Sequence, residues 1–249
     1  MKVKEIYRFL NERFPFESAL DFDNCGLLIG SEEAEVKCAV AALDCTPEVL
    51  EFAIEKKAEL IITHHPVIFE GVKSVTAETL IYKAIRNGIS VICAHTNLDT
   101  SDGGVNDALC AVLGLENIEK IVCADGYTFR KGVLPKPMAT DELVRYAKER
   151  LHFGIRYVDC GKQIRTLAVS SGSGSSMYED AFNSGADAFL SSEIKHNVFL
   201  TAKSDGFTVL DAGHEATERI VVEPLTALLK ASLPDVNFIS YTNNNIRSI

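Results

Sequence analysis

The sequence has no excess of positive charge, no apolar run of membrane-spanning length and no Cys-x-x-Cys pair, and each absence removes a class of function. Its 35 acidic residues outnumber 25 basic ones, for a formal net charge of −10. Non-specific nucleic-acid binding normally rests on a basic surface, so nucleic acid is an unexpected partner. No stretch reaches the length a bilayer demands. The first ten residues, Met1 to Leu10, lack the continuous apolar core and small-residue cleavage site of a signal peptide. They read as an amphipathic helix with Val3, Ile6, Tyr7 and Leu10 on one side. The seven cysteines are odd in number, and Cys38 and Cys93 lie inside apolar runs where a thiol serves as a small hydrophobe. A reducing, cytoplasmic setting is expected. Low-complexity linkers and short-period repeats are also missing.

What is present is an alternation. With 249 residues that are 47% hydrophobic, the chain can build one large core or two small ones. From Val36 to Gly114 the pattern is strand-helix-strand-helix-strand-helix. Thr46-Pro47 opens the first helix, Thr76 to Asn87 forms the second, and Gly88 and Gly114 act as stops. This argues for a parallel sheet with covering helices. Residues 118–160 read as closely spaced strands around a helix from Thr140, and alternation resumes from Thr166 to a helix over Thr217–Leu229 and a strand over Val236–Tyr241. The expected architecture is α/β, with two similar αβα lobes. The first spans 1–124 and the second 125–215; a C-terminal helix and strand, 216–249, pack back on the first lobe.

Three strand ends carry ligand-type residues. Leu60-Ile61-Ile62-Thr63 is an apolar, β-branched run that stops at His64 and His65, and Pro66 prevents it from continuing as regular structure. The next strand leads to His95 and Asp99. The third, through Leu210-Asp211, leads to His214 and Glu218, which are four residues apart and share a helix face. Open α/β sheets place ligands at such carboxyl ends. Adjacent side chains on an extended strand point to opposite sides. Either one of His64 and His65 therefore supports the other, or each holds its own ion. With Asp99 and Glu218 available as bridges, two divalent ions roughly 3.5 Å apart are expected. All-N/O ligation suits Zn, Fe, Mn, Co or Ni alike. Glu193 and His196 stand near the same end of the sheet, although His196 also reads as a plain helix residue, and His152 reads as a surface residue. Ser170 to Ser176 joins a strand to a helix. It could cradle a phosphate at the helix N-terminus, or simply be a tight turn with a serine cap.

Ile62-Thr63-His64-His65-Pro66, His95-Thr96-Asn97-Leu98-Asp99 and Gly213-His214-Glu215-Ala216-Thr217-Glu218 resemble the three signature motifs of the NIF-three-like family. Many bacterial members of that family are named GTP cyclohydrolase 1 type 2 homologues. Phe22-Asp23-Asn24-Cys25-Gly26-Leu27 and the Ser170–Gly174 segment also resemble family segments, and the resemblance covers nearly the whole chain in order. It implies a di-metal site in the cleft between two α/β lobes, with metal positions at His64, His65, Asp99, His214 and Glu218, and a ring-shaped homohexamer. The stretch 118–160 is too short for the inserted domain of larger members. Position 215 is Glu where some members have a second histidine.

The family name implies opening of the GTP imidazole ring by metal-bound hydroxide, with His95, Glu193 or His196 moving protons. A dinuclear metal-dependent hydrolase of a nucleotide-like substrate is therefore the expected function. The alternatives are a non-enzymatic metal-binding or metal-delivery protein and a ring-shaped interaction scaffold.

Overall fold

The computed structural model describes residues 1–243 and Ile246; the polar tail expected at the C-terminus lies largely outside them. Its ten α-helices are α1 (Val3–Arg13), α2 (Pro47–Glu55), α3 (Leu80–Arg86), α4 (Thr96–Thr100), α5 (Val105–Val112), α6 (Thr140–Leu151), α7 (Tyr178–Asn183), α8 (His196–Asp205), α9 (His214–Glu218) and α10 (Val222–Ser232). The strands are β1 (Gly26–Ile29), β2 (Cys38–Ala42), β3 (Leu60–Thr63), β4 (Ser90–Cys93), β5 (Glu116–Val122), β6 (Thr128–Ala139), β7 (Arg156–Val158), β8 (Gln163–Ser173), β9 (Ala188–Ser192), β10 (Thr208–Asp211) and β11 (Asn237–Tyr241). No helix among the described residues is long and apolar enough to cross a membrane.

They form a mixed α/β fold with two sheets. In the first, the order is β1-β4-β3-β2-β11. Every residue of β2, β3 and β4 is buried, which is why these strands read as unbroken apolar runs rather than alternating ones. They pair in parallel, Ala39 opposite Leu60 and Leu60 opposite Ser90, as the alternation over 36–114 requires. β1 closes one edge antiparallel to β4, and β11 adds to the other edge in parallel with β2. The core joins β2, β3 and β4 to Val49, Leu50 and Ala53 of α2 and Ala84 of α3.

The second sheet has the order β5-β6-β8-β9-β10-β7. Here β8, β9 and β10 form a parallel trio, while β5, β6 and β7 pair antiparallel, so the middle of the chain supplies the antiparallel content its spacing suggested. Leu109 and Leu113 flank one side of this sheet with Leu143, Ala147 and Leu151 of α6. The other face packs Tyr178, Ala181 and Ala202 against Phe129, Phe189 and Val209.

The described residues divide into two compact units, residues 1–104 with 222–243, and residues 105–221. The sequence placed the joins near 125 and 216. The first join falls earlier because α5 and β5 pack within the second sheet's unit; the second falls later because α9 does so too.

Two local departures have identifiable causes. Thr79, rather than Thr76, caps the helix after the histidine pair, accepting a hydrogen bond from the Tyr82 N–H at 3.3 Å, so the helix starts at Leu80. The helix expected over 217–229 is broken into α9, a 3-10 turn at Arg219–Val221 and α10. Pro224 lies in the first turn of α10; it lacks the N–H a continuous helix would use and clashes with the preceding turn.

Candidate metal centre

In the first unit, β3 and β4 lie side by side, and both end in histidine. Backbone bonds carry this register past the strand ends: the His64 and His65 N–H groups donate to the Leu43 carbonyl at 3.1 and 2.9 Å, and the Ala94 N–H donates to the Thr63 carbonyl at 2.9 Å. His64, His65 and His95 each offer one ring nitrogen to a group whose ligand atoms all lie within 4.8 Å of one another, a spacing that could hold a metal ion. The ring centroids are 5.0 Å apart for His64 and His65, 5.1 Å for His64 and His95, and 5.5 Å for His65 and His95.

Each imidazole is anchored through its Nδ1. For His64 the partner is the Ala94 carbonyl at 3.0 Å, for His65 it is Asp44 Oδ1 at 2.7 Å, and for His95 it is Asp23 Oδ1 at 2.9 Å. A carbonyl and an ionised carboxylate only accept, so the proton resides on Nδ1 in all three rings. In the neutral imidazole, Nε2 is then the nitrogen whose lone pair could bind a metal. Such outer partners fix tautomer and ring orientation at metal sites. Asp23 is committed to this role. Burial alone would raise its pKa, but hydrogen bonds from His95, Thr96 and Cys25 outweigh that and hold it well below the usual carboxylate range. Its Oδ2 accepts from the Thr96 hydroxyl at 2.6 Å and the Thr96 N–H at 3.0 Å, which also fixes the start of α4.

α4 is a single turn. It brings Asp99 one turn beyond His95 and places Asp99 Oδ1 3.6 Å from Nε2 of the buried His64. Gly104 follows where a Cβ would overlap the Leu98 carbonyl, so the chain after α4 closes only around glycine.

In the second unit, β8, β9 and β10 all end at one place. Gly213 has φ +80°, and a Cβ there would overlap the Phe153 ring, so the backbone turns into α9 with the aromatic ring lying against it. His214 and Glu218 then share a face, with Nε2 and Oε2 3.0 Å apart. Glu193, just past β9, has Oε1 3.0 Å from His214 Nδ1. Glu193 thus supports His214 as Asp44 supports His65. It does so from a left-handed backbone, φ +51°, which is costly for a residue with a side chain. Asp211 ties the two loops together: Oδ2 accepts from the Ile194 N–H at 3.2 Å and Oδ1 from the Gly213 N–H at 3.2 Å.

In the Ser170–Ser176 segment, Ser170–Ser173 form the end of β8 and a 3-10 turn follows from Ser175. The Ser171 N–H donates to Asn106 Oδ1 at 2.8 Å, the Gly172 N–H to Thr217 Oγ1 at 3.1 Å and the Gly174 N–H to the Ser192 carbonyl at 3.1 Å. These three donors are committed inside the protein, which takes them away from a phosphate and favours the structural alternative for this loop. Its glycine has another use: Gly172 adopts φ +60° and a Cβ there would overlap Oε1 of Glu218. His196 is exposed at the first residue of α8, and His152 is exposed at the C-cap of α6, so neither belongs to a metal-competent group among the described residues. Asp23, Asp44 and Asn106 escaped the sequence reading as supporting residues. For the two carboxylates the available signal was position, Asp44 just past a strand and Asp23 in the turn before β1.

Comparison with known proteins shows what the chain as a whole is similar to. Solved structures share the fold. A Staphylococcus aureus protein superposes with a TM-score of 0.93 at 29% identity, covering 100% of this chain and 99% of its own. Reduced HcgD from Methanocaldococcus jannaschii gives 0.83 at 30% identity, over 96% of this chain and 97% of its own. A Clostridium acetobutylicum protein named GTP cyclohydrolase 1 type 2 homolog is 34% identical over an alignment of 262 positions, covering 99% of this chain and 97% of its own. A Campylobacter jejuni protein of the same name is 33% identical, covering 98% of each chain. The family model described as Duf34/NIF3 (NGG1p interacting factor 3) matches residues 1–245, and the chain belongs to that family.

Proposed function

We propose that the protein is a divalent-metal-dependent hydrolase of a nucleotide-like substrate, with His64, His65, Asp99, His214 and Glu218 holding two metal ions. The observation that carries this reading is the anchoring of the three imidazoles in the first unit, each held at Nδ1 so that Nε2 is presented as a ligand. The donor set is nitrogen and carboxylate oxygen, which fits Zn, Fe, Mn, Co or Ni. A divalent ion so held supplies Lewis acidity and lowers the pKa of water toward neutrality.

The chain's own residues then have distinct tasks. Asp44, Asp23 and Glu193 orient imidazoles. His95 is suited either to complete the ligand set or to move a proton, because Asp23 holds its ring in place beside the other two imidazoles. His196, exposed and in no metal-competent group, is the weakest of the proton-moving candidates. The relatives' name, GTP cyclohydrolase 1 type 2 homolog, points to a nucleotide and, within it, to hydrolysis at the base. We also propose a homo-oligomeric assembly, a hexamer by family resemblance, which light scattering of the eluting protein would measure.

The test is a panel of nucleotides incubated with protein loaded in turn with each candidate metal, following base absorbance and formate release. Turnover that disappears in His64→Ala supports the proposal. No turnover of any nucleotide with any metal would leave the second reading, a metal-binding or metal-delivery protein, for which the same anchored imidazoles suffice.

A further inference from the structure

Two phenylalanines flank the histidine cluster and are left half in solvent. Phe22 is 54% exposed and Phe69 is 52% exposed. Both belong to the segments that build the site: Phe22 directly precedes Asp23, the anchor of His95, and Phe69 lies three residues beyond Pro66. The segments are tied together by Asn24, whose Nδ2 donates to the Ile68 carbonyl at 2.6 Å. The rings meet edge to face, centroids 6.3 Å apart at 60°, and the Phe69 ring stands 6.5 Å from the His95 ring at 78°. Large aromatic side chains bury far more area than they expose when a fold can cover them. Here two such rings are held in a fixed mutual geometry beside the candidate metal ligands, on a backbone pinned by a short hydrogen bond.

We propose that Phe22 and Phe69 form an aromatic platform that stacks the planar heteroaromatic base of the substrate next to His95. This rests on the hydrolase reading and narrows its substrate class to molecules with a purine-like ring, recognised by its face. Every base offers a π-face to an aromatic side chain, and removing one such stacking partner typically weakens binding about 5- to 150-fold. The platform fixes where the base lies, beside the His95 ring.

The chain contains no tryptophan, so Phe69→Trp introduces a single indole reporter at the platform. GTP titrated into the metal-loaded F69W protein should quench its emission saturably, whereas ribose 5-triphosphate, which has no base, should not. In otherwise wild-type protein, Phe69→Ala and Phe22→Ala should each raise the GTP dissociation constant measured by calorimetry about 5- to 150-fold, Phe69→Tyr should restore it, and Phe69→Leu should not. This readout is binding, so it separates from turnover. GTP binding with quenching, but no turnover of any nucleotide with any metal, sustains the platform and sinks the hydrolase reading. Hydrolysis of GTP that is indifferent to Phe69→Ala and Phe22→Ala sinks the platform alone. Emission that follows protein concentration rather than nucleotide shows the rings covered by a second copy of the chain and overturns the proposal.

Discussion

Oδ1 of Asp44 lies 2.7 Å from Nδ1 of His65, so a residue just past β2 sets the tautomer of a histidine just past β3. The pair is 23–36% exposed at its side chains, and its own ion-pair energy is therefore small. Its value is orientation. Asp44→Ala is expected to weaken divalent metal binding about 10- to 100-fold and to leave the unfolding temperature of metal-free protein nearly unchanged. Calorimetric titration of Zn into metal-free protein measures the first and differential scanning the second. Unaltered affinity would remove Asp44 from the centre.

Metal should stabilise the fold through its binding free energy. At a free concentration about 100 times the dissociation constant the gain is about 2.7 kcal/mol, roughly 5–10 °C in unfolding temperature for a domain of this size. Chelator should reverse it. His64→Ala and His214→Ala should each lose most of the gain, because the proposed ligand set draws on both units. A gain that survives His214→Ala would mean that the first unit's histidines bind on their own.

Gly172 offers a sharper perturbation. Alanine there keeps φ near +60° at a backbone cost of about 1–2 kcal/mol and forces its Cβ onto Oε1 of Glu218. Gly161 has a similar φ of +70°, with nothing within 4 Å of an added Cβ. Both substitutions should destabilise in urea unfolding, Gly172→Ala by more because of the clash, but only Gly172→Ala should reduce metal affinity. Equal affinities in the two variants would show that Glu218 moves aside without consequence.

Asp187 carries the clearest pH signature away from the metal ligands. Partial burial would raise its pKa, but the Thr166 and Arg165 N–H groups at 2.8 and 3.0 Å, with the Thr166 hydroxyl at 2.8 Å, outweigh burial and depress it. A depressed native pKa stabilises the fold above the unfolded value of about 3.9 and loses that contribution as the pH falls through the native value. Asp187→Asn should therefore cost about 1 kcal/mol between pH 7 and 5, and the deficit should shrink below about pH 3.9. Urea unfolding across that range measures it. A deficit that grows on acidification would contradict the assignment.

The strands that carry the ligands were legible because burial on both faces leaves an unbroken apolar run, and because each run stops at a histidine or an aspartate. His214 and Glu218 were legible because a spacing of four is meaningful wherever a helix begins. The supports were hidden by sequence distance. Asp44 is 21 residues from His65, Asp23 is 72 from His95, and Asn106 is 65 from Ser171. A lone carboxylate or amide carries no mark of the imidazole or N–H it will meet. The same distance explains why the sequence left two readings of the Ser-Gly loop open: the acceptors of its Ser171 and Gly172 N–H groups, Asn106 and Thr217, come from elsewhere in the chain. The broken C-terminal helix, by contrast, had its signal in plain view at Pro224.

The parallel pairing of β11 with β2, which sets Asn237 opposite Cys38, fixes an order for synthesis on the ribosome. Residues 105–221 are contiguous and can close their own sheet as soon as they emerge. The first sheet cannot, although most of it is made earlier: until residues 237–241 are released, β2 presents a bare edge that invites pairing with another chain. The sheet begun first is thus completed only after the second unit has been made, and residues 237–241 determine when the histidine-bearing sheet is sealed.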